Sequence, residues 1–400
     1  MKDAYIYDGG RTAFGRHGGV LSTVRPDDLL AHTIQALVQR NPFALSDYED
    51  VIAGNTNQAG EDCRNVARFA GLLAGLPIET GGLTVNRLCG SGLAAALDAA
   101  RGVKAAEGEL FVAGGVEVMS RAPLVISKAT TAFDRGQQIA DSTMGARFSN
   151  PRVTAQFGAD SMPETADNIA ADLGISRDQS DRFAAASQAK YQQALAAGFF
   201  DDEIIPVEVP QGRKKPNLTV AQDEHPRPAT TVDALQGLRP LFESGVVTAG
   251  NASGINDGAA ALIIGNRAAG ERANAKPRAR IVSGAIAGVE PRVMGLGPVP
   301  ATRKALARAG LSLDDMDVLE FNEAFATQAL GCLQQLEIDF DDPRVNPNGG
   351  AIAIGHPLGA SGARILLTAL RQLERTGGRY ALATMCIGLG QGIAVVIERV

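Results

Sequence analysis

Val85-Asn86-Arg87-Leu88-Cys89-Gly90-Ser91-Gly92 is the stretch that decides the fold, because it places one cysteine between two kinds of element. A strand-like apolar run precedes Cys89, and an Ala-rich helical run, Leu93 to Ala100, follows it. A cysteine at a helix start meets unpaired backbone N–H groups and the positive end of the helix dipole, which lower the thiol pKa. The stretch predicts a strand-turn-helix unit that presents a nucleophile, although a lone cysteine is more often a small buried hydrophobe.

The composition is that of a globular α/β enzyme. The chain has 400 residues, 45% of them hydrophobic, and 46 glycines, which suits two or three domains with many tight turns. Its formal net charge of −6 argues against a nucleic-acid partner. None of the four cysteines forms a CxxC pair and no His/Cys cluster has zinc-ligand spacing, so we expect no metal and no disulfide framework.

The chain carries no targeting or membrane signal that we can identify. It opens directly into the strand-like run Ala4 to Tyr7, and no apolar run reaches membrane-spanning length. We therefore expect a soluble, cytoplasmic protein with no membrane partner.

A diverged internal duplication pairs the reactive residues of the chain. Asp50 to Asn55 reads like Asp317 to Asn322, and the same offset carries Cys89 onto His356, in Gly-His-Pro. Both residues precede a helical run, so a βαβ-type unit occurs twice. Equivalent helix starts facing a shared crevice would bring the reactive side chains together, as ligand sites in α/β sheets do.

The repeat predicts three units. Residues 1–120 with 249–270 form the first half, and residues 271–400 form the second. Between them, residues 121–248 contain polar helical patterns at 164–173 and 176–197. We interpret this segment as an inserted loop and helical domain over the mouth of the site, since long insertions often carry binding function.

Four further motifs carry polar or reactive residues, and each is weak alone. They are Thr248-Ala-Gly-Asn-Ala-Ser-Gly254, Asn322-Glu-Ala-Phe325, Asn346 to Pro357, and Cys386-Ile-Gly-Leu-Gly-Gln-Gly392. Together with Leu-Cys-Gly-Ser-Gly, they resemble the motif set of thiolases, in order, along essentially the whole chain. This resemblance implies an α/β fold of two duplicated halves with mixed sheets in a layered αβαβα arrangement.

Segments outside these motifs are most similar to the 3-oxoadipyl-CoA thiolases of aromatic-compound breakdown, in the beta-ketoadipate or phenylacetate route. They are residues 60–68, 119–123, 160–166, 223–228 and 384–400. The resemblance implies cleavage of 3-oxoadipyl-CoA by CoA to succinyl-CoA and acetyl-CoA. It implies CoA as co-substrate, no permanently bound cofactor, and a homodimer or homotetramer.

The resemblance also implies a role for each motif residue. Cys89 would be the acylated nucleophile, His356 would take its proton, and Cys386 would be the second acid and base. Asn322 would hold a water that stabilises the enolate with His356, and the N–H groups of Cys89 and Gly388 would stabilise the oxyanion. Residues expected near CoA or the acyl pocket are Ser253, Arg227, Phe242, Met162 and Phe325. Ser161 departs from the thiolases that have a histidine there.

A distal carboxylate needs a cation or strong donors when it leaves water. Arg64 and Arg121 lie in the segments that suggest the adipyl subgroup, so at least one of them is expected to bind it. The alternative for each is an ordinary surface or interface arginine.

Three alternative functions stay open. An acetyl-CoA acetyltransferase or a general 3-ketoacyl-CoA thiolase differs only in the acyl chain. A β-ketoacyl synthase would use two catalytic histidines, and only His356 among four histidines lies in a catalytic-looking motif. A non-catalytic acyl-CoA-binding protein would tend to have lost Cys89, His356 or Cys386, and all three are present.

Overall fold

A computed structural model describes residues 3–400. The strands within these residues are β1 (Tyr5–Thr12), β2 (Gly15–Arg16), β3 (Asp50–Gly54), β4 (Gly81–Val85), β5 (Leu110–Val118), β6 (Leu124–Ile126), β7 (Ile139–Asp141), β8 (Ile204–Ile205), β9 (Val207–Val209), β10 (Leu218–Val220), β11 (Asn256–Gly265), β12 (Ala279–Gly288), β13 (Val318–Phe321), β14 (Tyr380–Ile387) and β15 (Gln391–Arg399).

The helices alternate with these strands in both halves of the chain. They are α1 (Pro26–Arg40), α2 (Val66–Leu73), α3 (Ser91–Ala105), α4 (Pro151–Phe157), α5 (Met162–Leu173), α6 (Arg177–Ala196), α7 (Val232–Gln236), α8 (Arg267–Ala273), α9 (Pro298–Ala309), α10 (Ala326–Gln335), α11 (Ala351–Ile354) and α12 (Leu358–Thr376). No helix within residues 3–400 is long and apolar enough to cross a membrane.

The element order repeats and confirms the predicted α/β duplication. The first half runs β1, α1, β3, α2, β4, α3, β5, β11, and the second runs β12, α9, β13, α10, α12, β14, β15. The strands follow the spatial order β4-β3-β5-β11-β1-β12-β15-β14-β13. Counted outward from the β1–β12 contact, the strands of the two halves correspond in order. An isolated bridge from Leu319 to Val345 takes the place that β4 holds in the first half.

The sheets are mixed, as predicted. Strand β3 pairs in parallel with β4 and β5, whereas β11 pairs antiparallel with β5 and β1. The two sheets join at β1 and β12, where Tyr5 pairs with Arg280 and Ile6 with Ala279, and the N–H of Ile281 donates to the Ala4 carbonyl. This short contact leaves the rest of the two sheets free to face each other.

Five layers result from three large apolar clusters. Helices α3 and α12 pack between the inner faces of the two sheets, with Leu93, Leu97, Leu366 and Leu370 in one core. Helices α1 and α2 cover the outer face of the first sheet, and α9 and α10 cover that of the second. Burying the inner faces removes a large apolar area from water, at about 25 cal/mol per Å².

The two central helices approach so closely that small residues are required. A Cβ on Gly92 would lie 2.6 Å from the carbonyl oxygen of Gly359, and one on Gly362 would lie 2.2 Å from the nitrogen of Leu93. Contacts this short exclude any side chain. The Gly-Ser-Gly and Gly-Ala-Ser-Gly runs thus serve packing between the halves.

Buried ion pairs fasten the middle segment to the first half. Arg11 on β1 is fully buried and donates to Glu203 at 2.5 Å and to Asp223 at 2.6 and 2.9 Å. Strand β8 also pairs in parallel with the end of β1. The boundaries proposed for the inserted domain, 121–248, stay a prediction, and within them residues 203–205 join the main sheet.

Sequence patterns located the following elements and placed their ends to within two residues. The predicted helices at 164–173 and 176–197 correspond to α5 and α6, and Ser176 caps α6 by accepting from the Gln179 N–H. The strand predicted from Val318 to Phe321 matches β13 at both ends. The aspartates at 314 and 315 lie in a short 3₁₀ turn, where Asp315 accepts from the Ser312 N–H.

Candidate active site

Cys89 lies in a tight turn just before α3. Leu88 has a φ of +46°, and Gly90 is the N-cap residue, so Cys89 precedes the helix instead of lying in its first turn as predicted. The Ser91 hydroxyl donates to the carbonyl of Leu88 at 2.6 Å and accepts from the Arg87 N–H at 2.8 Å. The serine after the nucleophile therefore closes the turn and fixes its strained backbone.

Burial raises the pKa of the Cys89 thiol to about 11, and the negative charge of Glu117 adds to this effect. The N–H groups of Gly388 and of Cys89 itself donate to the sulfur and lower the pKa by less. The prediction that the helix start lowers this pKa is therefore wrong, because loss of water outweighs the backbone donors. Cys89 is a neutral thiol near pH 7 and needs a base to react.

The end of β14 lies against the Cys89 turn. A Cβ on Gly388 would be 3.3 Å from Leu88 Cδ1 and 3.6 Å from Met162 Sδ, so Met162 borders the same space. Burial, with the nearby Cys89, raises the pKa of the Cys386 thiol well above its usual value. Two thiols and two backbone donors are thus gathered at one place.

His356 follows α11 in a constrained turn. Its Nδ1 lies 2.7 Å from the Ser361 Oγ, and that hydroxyl is 3.0 Å from the carbonyl of Pro357. A carbonyl can only accept, so Ser361 donates to Pro357 and accepts from Nδ1–H of His356. The lone pair of His356 is then on Nε2, and burial lowers the pKa of the imidazole to about 3, which keeps it neutral.

Asn322 faces this free nitrogen. Its Nδ2 lies 3.5 Å from His356 Nε2, and its backbone N–H donates to the Thr384 carbonyl at 3.0 Å. Its Oδ1 is buried and has no partner among the residues described. The amide therefore offers a donor to the imidazole and an acceptor to a bound molecule.

Asn256 holds the backbone of the histidine turn. The His356 N–H donates to Asn256 Oδ1 at 2.9 Å, and Asn256 Nδ2 donates to the Gly15 carbonyl at 2.9 Å. Gly355 has a φ of +111°, and a Cβ there would be 2.6 Å from the Asn256 amide carbon. Glycine is therefore required before His356.

A groove that includes Ala252 has in its wall one of the residues expected to contact CoA, Arg227. Phe325 packs with Cys386 and bridges Ala252, and the Ser253 N–H donates to the Ala324 carbonyl at 2.9 Å. The groove has a volume of about 260 Å³, and its wall includes Gln188, His225, Arg227, Leu235, Ala252 and Ile352. Arg227 thus lines a groove that shares Ala252 with the apolar cluster of Phe325 and Cys386.

The predicted contact residue Phe242 and Ser161, where some thiolases have a histidine, do not line this groove. Phe242 is 38% exposed in the turn between Pro240 and Thr248. Ser161, the departure from a common histidine, precedes α5, and its N–H donates to Glu164 at 2.7 Å. This serine serves the helix start.

The two arginines proposed for the distal carboxylate lie in the region of residues 60–64 and 119–123. Arg121 donates to both oxygens of Glu61, at 2.5 and 2.6 Å, and lines a groove of about 770 Å³ with Arg25 and Cys63. Arg64 is exposed with a φ of +66°, and it forms no ion pair within residues 3–400. Neither arginine touches the turns of Cys89 or His356 through a bond that the structure gives.

Three residues of the site were missed from the sequence. Ser361 stands five positions after His356, in the first turn of the helix that follows it, which was a usable signal. Glu117 is a lone charge in the apolar strand β5, and such a residue is rarely buried without a purpose. Asn256 gave no signal, because its contact with the His356 turn joins residues that are 100 positions apart in sequence.

The four cysteines are free thiols, and no cluster of three His, Cys, Asp or Glu within residues 3–400 could hold a metal. The residues brought together supply a half-buried thiol at Cys89, a neutral imidazole at His356 and a buried second thiol at Cys386. Such a set can transfer an acyl group through a thioester.

Comparison with known proteins agrees with this chemistry. The thiolase N-terminal domain model matches residues 4–268, and the thiolase C-terminal domain model matches residues 275–399. A beta-ketoadipyl-CoA thiolase of Escherichia coli and a 3-oxoadipyl-CoA/3-oxo-5,6-dehydrosuberyl-CoA thiolase of Escherichia coli (strain K12) are each 58% identical, over the full length of both chains.

A solved structure gives the same result at the level of the fold. The acetyl-CoA acetyltransferase of Bacillus anthracis has a TM-score of 0.93 and 36% identity, and the match covers 100% of this chain and 99% of that one. With two family models that together span nearly all residues, the chain is a member of the thiolase family of acyltransferases.

Proposed function

We propose that the protein cleaves 3-oxoadipyl-CoA with CoA, giving succinyl-CoA and acetyl-CoA. The observation that carries this substrate is the full-length identity of 58% to enzymes named for it. The thiol, imidazole and second thiol described above support the thiolytic chemistry. In this family CoA is a substrate, and no cofactor stays bound.

The first half-reaction makes the acyl-enzyme. Nε2 of His356 takes the proton of Cys89, and the thiolate attacks the C3 ketone of the substrate. Rupture of the C2–C3 bond leaves a succinyl thioester on Cys89 and the enolate of acetyl-CoA. Nε2–H of the protonated His356 and a water held by the Asn322 amide stabilise the enolate oxygen, and Cys386 gives its proton to the enolate carbon.

The second half-reaction releases the product. The Cys386 thiolate takes the proton of an incoming CoA thiol, and the CoA sulfur attacks the succinyl thioester. The N–H groups of Cys89 and Gly388, which already point at the sulfur, stabilise the oxyanion of this tetrahedral intermediate. Cys89 then leaves as a thiolate and recovers its proton from His356, so the protons balance.

The raised thiol pKa values fit this sequence of proton transfers. Cys89 stays protonated until substrate and base are in place, which limits side reactions of a free thiolate. A thiol with a raised pKa becomes a strong base once it has given its proton away, and Cys386 then deprotonates CoA readily.

Recognition of the distal carboxylate is proposed for Arg64 or Arg121. Arg64 is the more accessible candidate, because Arg121 already donates to Glu61 and would have to share or exchange that partner. Losing a charge-assisted bond of about 1.5–3 kcal/mol lowers kcat/KM on 3-oxoadipyl-CoA about ten- to hundredfold, with little change on acetoacetyl-CoA.

The test compares kcat/KM on 3-oxoadipyl-CoA and acetoacetyl-CoA for the native chain, Arg64→Ala and Arg121→Ala. Arg25→Ala is the matched control, because Arg25 also pairs with Glu61 and lines the same groove. We expect the native chain to prefer 3-oxoadipyl-CoA and Cys89→Ala to lose both activities. Parallel losses on the two substrates would remove both arginines from carboxylate recognition.

The second candidate function is acetyl-CoA acetyltransferase or a general 3-ketoacyl-CoA thiolase. The likeness to the acetyltransferase of Bacillus anthracis favours it, although at lower identity. A native chain that works better on acetoacetyl-CoA than on 3-oxoadipyl-CoA would establish this alternative.

We also infer a homodimer or homotetramer. The hairpin of β6 and β7 has exposed apolar side chains, Leu124 at 71%, Ile126 at 64% and Ile139 at 69%, and Phe133 between the strands is 99% exposed. A protruding apolar patch of this kind supports self-association. Light scattering of the native chain tests the oligomeric state. A cytoplasmic location stays a prediction from the sequence.

A further inference from the structure

Glu117 is a buried carboxylate at the end of β5 that the mechanism above does not use. It is 1% exposed and stands in a strand whose other residues are apolar or glycine. A carboxylate removed from water costs several kcal/mol unless donors replace the water. This cost indicates that the hydrogen bonds of Glu117 have a structural or functional role.

Donors from both halves converge on this side chain. Oε2 accepts from the Thr56 N–H at 3.0 Å, from the Thr56 hydroxyl at 2.9 Å and from the Gly359 N–H at 3.0 Å. Oε1 accepts from the Asn57 N–H at 3.0 Å and the Asn55 amide at 3.4 Å. The carboxylate therefore ties the loop after β3 to the start of α12.

The bond to Gly359 holds the turn that carries His356. Gly359 is the second residue of α12, and its N–H is one of the donors that have no partner within the helix. A carboxylate at this position is also favoured by the helix dipole. His356 stands three residues earlier, so the placement of its imidazole depends on where this first turn is held.

The same turn is wedged against the first half. The Gly359 carbonyl oxygen lies 2.0 Å from where a Cβ of Gly115 would be and 2.6 Å from that of Gly92. Gly92 belongs to the helix that follows Cys89. Gly115 and Glu117 are two positions apart on β5 and so lie on the same face of that strand. The backbone contact and the hydrogen bond together set the His356 turn relative to the Cys89 turn.

We propose that Glu117 is a positioning residue, which holds the His356 turn of the second half in register with the Cys89 turn of the first. The inference rests on the roles proposed above for Cys89 and His356. A displacement of about 1 Å in such a pair can cost about a hundredfold in rate. Removing the carboxylate is therefore expected to slow acylation while leaving CoA binding nearly unchanged.

The charge of Glu117 affects the reactivity of Cys89 in the opposite direction to its positioning effect. The two effects can therefore be separated by experiment. Burial raises the pKa of Glu117 to about 7. The negative charge of its ionised form raises the pKa of the Cys89 thiol, so removing that charge alone makes Cys89 more reactive. If Glu117 acted only through its charge, the variant would be alkylated faster and would thiolyse at least as fast. If it positions His356, alkylation stays equal or rises while thiolysis falls.

The decisive variant is Glu117→Gln, which keeps the shape but presents an NH₂ group to one of two sets of donors. The matched control is Glu203→Gln. Glu203 is fully buried, accepts from Arg11 and Thr368, and so also joins the first half to α12. Thr368 lies nine residues beyond Gly359, about 14 Å along the helix, far from the histidine turn.

We expect Glu117→Gln to lower the rate of Cys89 acylation about ten- to hundredfold, with KM for CoA within about twofold of native. The rate of alkylation by iodoacetamide should stay equal or rise. In isotope-labelled histidine NMR, the Nδ1–H resonance of His356 should shift or broaden. Glu203→Gln should lower the melting temperature but keep acylation within about threefold and the resonance unmoved.

Several outcomes would overturn the inference. Acylation within threefold of native, or an equal loss in Glu203→Gln, would make Glu117 a residue of general stability only. If Glu117→Gln does not fold, Thr56→Val removes one donor and is expected to slow acylation about threefold; an unchanged rate refutes the proposal. A native chain with no thiolytic activity would instead refute the proposed function.

Discussion

Replacing Ser361 by alanine removes the hydroxyl to which Nδ1–H of His356 donates at 2.7 Å. Ser361 is fully buried, so no water can take its place without rearrangement of the helix start. An unsatisfied buried N–H costs about 1–3 kcal/mol. The imidazole avoids this cost by moving its proton to Nε2, the nitrogen that has to accept the proton of Cys89.

The free energy that disfavours the reactive tautomer adds to the activation free energy of acylation and lowers kcat/KM. At 1.36 kcal/mol for each factor of ten, about 1–3 kcal/mol corresponds to a fall in kcat/KM of about 5- to 150-fold. The assay is CoA-dependent thiolysis, with mass spectrometry of Cys89 to show that acylation is the slowed step. Thermal unfolding reports whether the variant keeps its fold.

Ser180→Ala is the control for loss of a buried serine hydroxyl. Ser180 is fully buried in α6 and donates to the carbonyl four residues earlier at 2.9 Å, as Ser361 does, but it touches no histidine. It should keep kcat/KM within about twofold of native. If Ser361→Ala is as active as the native chain, or both variants lose activity alike, the tautomer argument fails.

Three further predictions follow from the same geometry. Because burial holds the pKa of Cys89 at about 11, alkylation of the free enzyme should rise about tenfold per pH unit between pH 7 and 10; a plateau near pH 8 would contradict this. Cys386→Ser should block α-proton exchange of acetyl-CoA, measured by mass spectrometry, more than acylation of Cys89, and equal losses would argue against separate roles. In Gly355→Ala the new methyl group meets the Asn256 side chain at a φ of +111°, so the free energy of unfolding in urea should fall by at least about 2 kcal/mol. The control Gly377→Ala has open space at a φ of +74° and should lose about 1 kcal/mol. Similar losses in both variants would show that the Asn256 side chain moves aside.

The duplication and the reactive residues could be read from the chain because they are local patterns. The stretch around Cys89 and the Gly-His-Pro motif each show a strand or loop followed by a helix start, and their equal offset implies a twofold arrangement. The structure repeats that element order in both halves. Family resemblance, and not residue spacing, supplied the expected roles of Asn322 and Gly388.

The pKa of Cys89 could not be predicted in the same way. The helix-start argument counts donors along the chain, whereas the thiol pKa is decided by how much water the folded protein removes. Glu117 and Asn256 were missed for a related reason. Their partners, Gly359 and His356, lie at least 100 residues away in sequence, so only the tertiary fold brings them together.

The sharing of one central layer by two halves has a consequence for synthesis of the chain. Strand β11 completes the first sheet at Gly265, but its inner face stays uncovered until α12 and β15, which ends at Arg399, have left the ribosome. At about 5–20 residues per second this interval is roughly 7 to 27 s. During that time Leu93 and Leu97 face water or a chaperone, and the nascent first half is prone to aggregate. A chain released before α12 is made lacks Cys386 and leaves this apolar face uncovered, so we expect it to be inactive and to aggregate.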